Sequence, residues 1–248
     1  MELLGIYIKR VLIMLIPFGI LMLFWGEYNL FPIGDIWMVN GNVFEGLASV
    51  WFIFAWGATF VLVVSVTQLI SGKRSVKKAS SGEILLSGAW ISLNAGIFEE
   101  LEFRWLRFSI AMIILPFANF ILFGFISGQM GLLHWAYEYF LVPLADFVTF
   151  GALQDFLFHP ASWVVGAAII SANGKFREAH EKNSWFNSVN AWFIGMVMFY
   201  LMFNYGLFTA IVAHVLYDMV LFVVAATVNS WGIPSRLAGK QKQPAFRV

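Results

Sequence analysis

Gly206-Leu207-Phe208-Thr209-Ala210-Ile211-Val212-Ala213-His214-Val215-Leu216-Tyr217-Asp218 is an apolar run with a histidine and an aspartate in its interior. Continued to about residue 228, it reaches the roughly 20 apolar residues that a membrane-crossing helix requires. On a helix His214 and Asp218 lie four apart on one face, so the carboxylate orients or charges the imidazole. An ionised side chain at the centre of a bilayer costs at least about 2.5–3.5 kcal/mol, and such residues persist where they line a cavity or pair. The pair therefore reads as a candidate functional site. The alternative is a structural pairing of Asp218 with Arg104 or Arg107.

The same signature extends outward along the chain. Its 248 residues are 60% hydrophobic and 12% charged, with a mean hydropathy of +0.80. A water-facing domain is nearer half apolar and a quarter charged, so the composition predicts an integral membrane protein. Further apolar stretches lie at about 8–25, 48–70, 105–127 and 187–204, with weaker ones at 84–98, 139–158 and 161–175. The predicted fold is all-α, a polytopic transmembrane bundle of about seven or eight spans. It forms a single membrane domain over 1–248, with two N-terminal spans in 1–83 and a motif-bearing core at 84–228. Lys9 and Arg10 precede the first run, which lacks a small-residue cleavage site and reads as a retained span.

The loop 26–47 holds Glu27, Asp35 and Glu45 but no Lys or Arg, whereas Lys73, Arg74, Lys77 and Lys78 make the next loop basic. The positive-inside rule then places both termini in the cytoplasm, in what short loops suggest is a bacterial inner membrane. Eight spans satisfy these assignments, yet they put the end of 84–98 outside and residue 180 inside. The region 139–175, with His159-Pro160, reads equally as a re-entrant piece or as two helices. With a net charge of +1 nothing points to nucleic acid. The lack of cysteine excludes disulfides, thiolate metal sites and a Cys nucleophile.

Two further polar clusters interrupt the apolar runs. Glu99-Glu100-Leu101-Glu102-Phe103-Arg104 sits between 84–98 and 105–127. On a helix Glu100 and Arg104 are four apart with the acid first, the favourable ion-pair order. Glu99 points about 100° away and is left to act as a base, unless the cluster is simply a charged helix end at the surface. Phe176-Arg177-Glu178-Ala179-His180 follows Ile169-Ile170-Ser171-Ala172 and taken alone reads as a solvated turn. His134 and His159 read as structural.

In order, the clusters spell E-E-x-x-x-R at Glu99, Glu100 and Arg104, F-x-x-x-H at Phe176 and His180, and H-x-x-x-D at His214 and Asp218. This resembles the CPBP family, the CAAX proteases and bacteriocin-processing enzymes also called the Abi family, over about residues 84–228. The resemblance implies an intramembrane glutamate-type endopeptidase acting on a peptide or membrane-protein substrate. Glu99 and His180 would activate water, His214 and Asp218 would stabilise the oxyanion, and Glu100 and Arg104 would hold the motif helix. It implies no cofactor and no metal. The gap of about 70 residues between the first two motifs, and Asp at 218 where the prenyl-protein proteases have Asn, depart from the family pattern.

Other classes stay in view. A zinc peptidase would use His180, His214 and Glu99 or Glu102 as ligands, although no H-E-x-x-H is present. Ser127 fits a rhomboid-type site poorly, and the G-x-G-D partner of an aspartyl intramembrane protease is absent from the sequence. A non-catalytic membrane scaffold, immunity protein or transporter would use the same polar pocket for binding.

Overall fold

A computed structural model describes residues 42–70, 80–127, 131–159, 163–180 and 185–230, and its regular elements are helical. They are α1 (Val43–Ser49), α2 (Trp51–Ile70), α3 (Ser81–Glu99), a π-helical segment (Glu100–Arg107) and α4 (Phe108–Asn119). After a second π segment (Phe120–Gly124) come α5 (Leu132–Ala136), a third π segment (Tyr137–Leu141) and α6 (Val142–Val148). The long helices α7 (Trp163–His180), α8 (Trp185–Tyr205) and α9 (Leu207–Ser230) complete the described chain. The expected span at 8–25, the basic loop Lys73–Lys78 and the basic tail lie outside the described residues.

Local chemistry sets the helix boundaries. Before α3, the Ser80 hydroxyl accepts the Glu83 N–H at 3.1 Å while the Glu83 carboxylate accepts the Ser80 N–H at 2.7 Å. This reciprocal cap satisfies two donors that the first turn leaves open. Gly206, at φ +93°, separates α8 from α9 in a conformation that only glycine adopts without strain. Beyond α4 the helix breaks at Leu122 and Phe123, the latter at φ +69°. Asn119 fixes that break, its Oδ1 accepting the His134 N–H at 2.8 Å.

The chain divides into two compact units, Met1–Ser49 with Ala95–Ala213 and Val50–Asn94 with His214–Val248. In the first unit Phe108 packs against Phe199 and Phe203 at centroid distances of 6.0 and 5.6 Å. Met112, Met196, Met198 and Leu201 are buried around them. The small residues Gly166, Ala167, Ala168 and Ala172 let α7 sit close to its neighbours. A Cβ at Gly166 would strike the Leu157 carbonyl oxygen. In the second unit Gly57 lies against Tyr217 and Gly88 against Phe222, and the Ser81 hydroxyl donates to the Ala226 carbonyl at 3.1 Å.

The polytopic bundle of seven or eight spans is corrected by this arrangement. Among the described residues two helical stretches, Ser81–Gly124 and Leu207–Ser230, are long and apolar enough to cross a membrane. A third is reached only if the bent pair Val43–Ser49 and Trp51–Thr67 counts as one span. The stretch 84–98 and most of 105–127, expected as separate spans, are one helical run that passes through the charged motif without a loop and breaks at Leu122 and Phe123. The stretch 139–158 is broken into short pieces around a turn with Phe150 at φ +54° and Gly151 at φ +74°. Of the stretch 161–175, residues 163–175 belong to α7, which buries Val164, Val165, Ala168 and Ile169 against protein. The integral inner-membrane localisation with cytoplasmic termini, and the lipid bilayer as a partner, are corrected in the same respect: the many spans that oriented the chain are two among the described residues, or three with the bent pair.

Candidate functional site

The π-helical segment Glu100–Arg107 sets the geometry. On a regular α-helix, whose residues advance about 100° each, Glu100, Arg104 and Arg107 would share one face while Glu102 would lie about 140° from Arg107. Insertions of this wider geometry often occur at functional sites. The segment packs against α7, which brings the first and second sequence motifs together within one unit.

At the centre Glu100 and Arg104 form an ion pair of 3.2 Å, both side chains 0% exposed. The Arg104 guanidinium lies 4.0 Å from the ring centroid of Phe176 and 5.7 Å from that of Phe199. Phe176 meets Phe103 edge-on at 5.4 Å. Beside the pair, the Asn173 amide donates to the Trp192 carbonyl at 2.8 Å. Gly195 of α8 faces this cluster. A Cβ there would strike Asn173 Oδ1 and would lie 2.9 Å from Arg104 Nη2. A buried charge survives only when paired and packed in this way.

One step outward, His180 Nε2 lies 3.6 Å from Glu99 Oε2, with the side chains 38% and 29% exposed. The other ring nitrogen, Nδ1, is 2.8 Å from the Phe176 carbonyl, where it donates. Glu99, Glu100, Arg104 and His180 are thus gathered along one seam. His214 and Asp218 lie in the other compact unit. There His214 is buried, and its Nε2 is 3.8 Å from Asp218 Oδ2, a separation beyond a hydrogen bond.

Sequence reasoning missed the rim of the same seam. Arg107 donates to Glu102 Oε1 through Nε at 3.1 Å and Nη2 at 2.6 Å, with the side chains 42% and 36% exposed. Five-residue spacing closes only on a π turn, so helical periodicity at 3.6 residues gave no signal for it. Glu102, Arg107 and Lys175 border a cavity of about 600 Å³ between this helical run and α7. Leu106, Ile110 and Ile114, spaced by four, supply one apolar wall, and Ala172 lies across from them. Ser171 also faces the cavity and hydrogen-bonds Tyr137, whose burial raises its phenol above the ordinary value despite that bond. The exposed Glu178 carboxyl is held below its ordinary range, first by the hydrogen bond from Lys175 and its charge, then by Arg177 and Arg107. The charges of the rim are thus paired, Arg107 with Glu102 and Lys175 with Glu178 at 2.8 Å.

The intramembrane peptidase is corrected here, along with its peptide or membrane-protein substrate. Among the described residues no group of three or more His, Asp or Glu side chains is placed to hold a metal ion. The Glu100–Arg104 pair is sealed inside the packing. The many-span bundle that such an active site requires is replaced by two helical stretches of crossing length, or three with the bent pair. The resemblance to the CPBP family is corrected on the same ground. No family model, curated protein or solved structure matches the chain.

Proposed function

We propose that the chain is a binding protein for a small amphipathic molecule, which lies in the cavity between the Glu100–Asn119 helical run and α7. The observation that carries this reading is the composition of the cavity wall: an apolar Leu106/Ile110/Ile114 stripe ending at Glu102, Arg107 and Lys175. Ligand sites of 300–1,000 Å³ are mostly apolar with a few placed polar groups, and about 600 Å³ falls within that range. At about 30 Å³ per water-sized group it accommodates a single alkyl chain with a polar head.

The polar residues singled out from sequence then take supporting roles. Glu100 and Arg104 tie the helical run to the Phe103–Phe176 contact beside the cavity. Glu99 and His180 form a half-exposed pair at the end of the same seam. His214 and Asp218 belong to the other unit and are proposed as a structural pair within α9.

Filling the cavity tests the reading. Ile110→Trp and Ile114→Trp place an indole where the alkyl chain lies, so both variants are expected to lose binding of a fluorescent alkyl probe while helicity is retained. Unchanged probe affinity in both folded variants contradicts the assignment.

A further inference from the structure

Glu102 and Arg107 stand out because an unusual backbone joins them. In an α-helix residues five apart are about 140° apart around the axis, whereas the π turn brings them to 2.6 Å. A single carboxylate oxygen of Glu102 takes both the Nε and Nη2 donors of Arg107. The guanidinium is also held over the Phe103 ring, its Cζ 5.1 Å from the centroid. A carboxylate is thus already seated on the planar donor edge with which arginine recognises carboxylates, at the mouth of an apolar cavity. Both partners are more than a third exposed, so Glu102 can turn to water if another anion takes its place. The sealed Glu100–Arg104 pair has no such freedom.

We propose that Glu102 is an internal competitor for Arg107, and that the ligand of the cavity is a single-chain carboxylate amphiphile whose head group displaces it. The proposal rests on the binding role above and adds the ligand's head group and the residue that sets its affinity. Arg107 reads the carboxylate. Lys175, on the facing helix, is exposed and already paired with Glu178 at 2.8 Å, so Arg107 carries the head-group recognition. The alkyl chain runs along Leu106, Ile110 and Ile114, away from both cations.

The experiment titrates decanoate and 1-decanol, the same chain with and without the charge, in a fixed background of neutral sugar detergent. The proteins are wild type, Glu102→Gln, Arg107→Gln and Arg107→Lys, each checked for helicity. Decanoate is expected to bind Glu102→Gln about tenfold more tightly than wild type, because the competing carboxylate is gone. It is expected to bind Arg107→Gln about tenfold more weakly, with Arg107→Lys between. Decanol affinity stays level across the four. If Glu102→Gln binds decanoate no better than wild type, the competitor role is overturned while the cavity stands. If decanol and decanoate bind wild type equally, head-group recognition is overturned. If neither ligand binds wild type, the binding function itself fails and this inference with it.

Discussion

Glu102 and Arg107, five residues apart, are joined by a 2.6 Å ion pair at the cavity rim, while Glu100 and Arg104, four apart on the same segment, are sealed at its core. The two pairs have nearly the same chemistry and opposite surroundings, and their energetics differ accordingly. An exposed pair contributes about 0–1 kcal/mol. Removing one partner of a buried pair costs about 3–5 kcal/mol, because the other charge is stranded. Glu102→Gln is therefore expected to leave the unfolding midpoint nearly unchanged and Arg104→Met to lower stability by about 3–5 kcal/mol. Replacing both partners, Glu100→Leu with Arg104→Met, should recover most of that loss. Equal effects of Glu102→Gln and Arg104→Met on the midpoint would contradict the assignment of core and rim.

Gly195 is the second point where packing makes a sharp demand. Its missing Cβ leaves room for Asn173 Oδ1 and Arg104 Nη2, so Gly195→Ala is expected to cost about 1–3 kcal/mol by overpacking. Asn173→Ala removes the atom that would be struck. The double variant should then be less destabilised than the sum of the two single changes, by about 0.5–3 kcal/mol of coupling. Strict additivity in a denaturation cycle would mean that the two side chains do not compete for that space.

Tyr137 gives a pH signature next to the cavity. Burial raises its phenol above the usual value near 10, and the Ser171 hydrogen bond opposes this only in part. The folded chain then keeps a proton that the unfolded chain releases. Its contribution to stability is complete below the ordinary tyrosine range and is lost as pH rises through the folded value. Absorbance of tyrosinate near 295 nm should contain a late-titrating component that Tyr137→Phe diminishes, with a shallower alkaline loss of stability in that variant. Tyr200 is raised as well by burial, so the difference between wild type and variant carries the test. An identical titration in the two would contradict the buried setting of Tyr137.

Hydropathy located many of the helices, because a run such as Leu207–Ser230 is apolar throughout, but it did not reveal what each helix faces. Val165, Ala167, Ala168 and Ile169 are as apolar as membrane-facing residues, yet they are fully buried against other helices. Conversely, Phe147 and Phe150 stand 77% and 91% exposed. Mean hydropathy cannot separate these cases, and counting spans from it overshot. The spacing of Glu100 and Arg104 was readable because both the expected α-helix and the observed segment bring residues four apart within reach. Glu102 and Arg107 were not, since nothing in the sequence announces a π turn. Glu99 and His180, from separate motifs, lie 3.6 Å apart, a proximity that short motifs alone do not encode.

The most direct test of the central claim is the chain-length dependence of alkanoate binding to the wild-type protein. Each methylene buried in the cavity is worth about 0.8 kcal/mol, so affinity should rise about fourfold per carbon from hexanoate upward. It should then level off where a cavity of about 600 Å³ is filled. Affinity that does not change with chain length would show that no alkyl chain enters the cavity, and would contradict the proposed function.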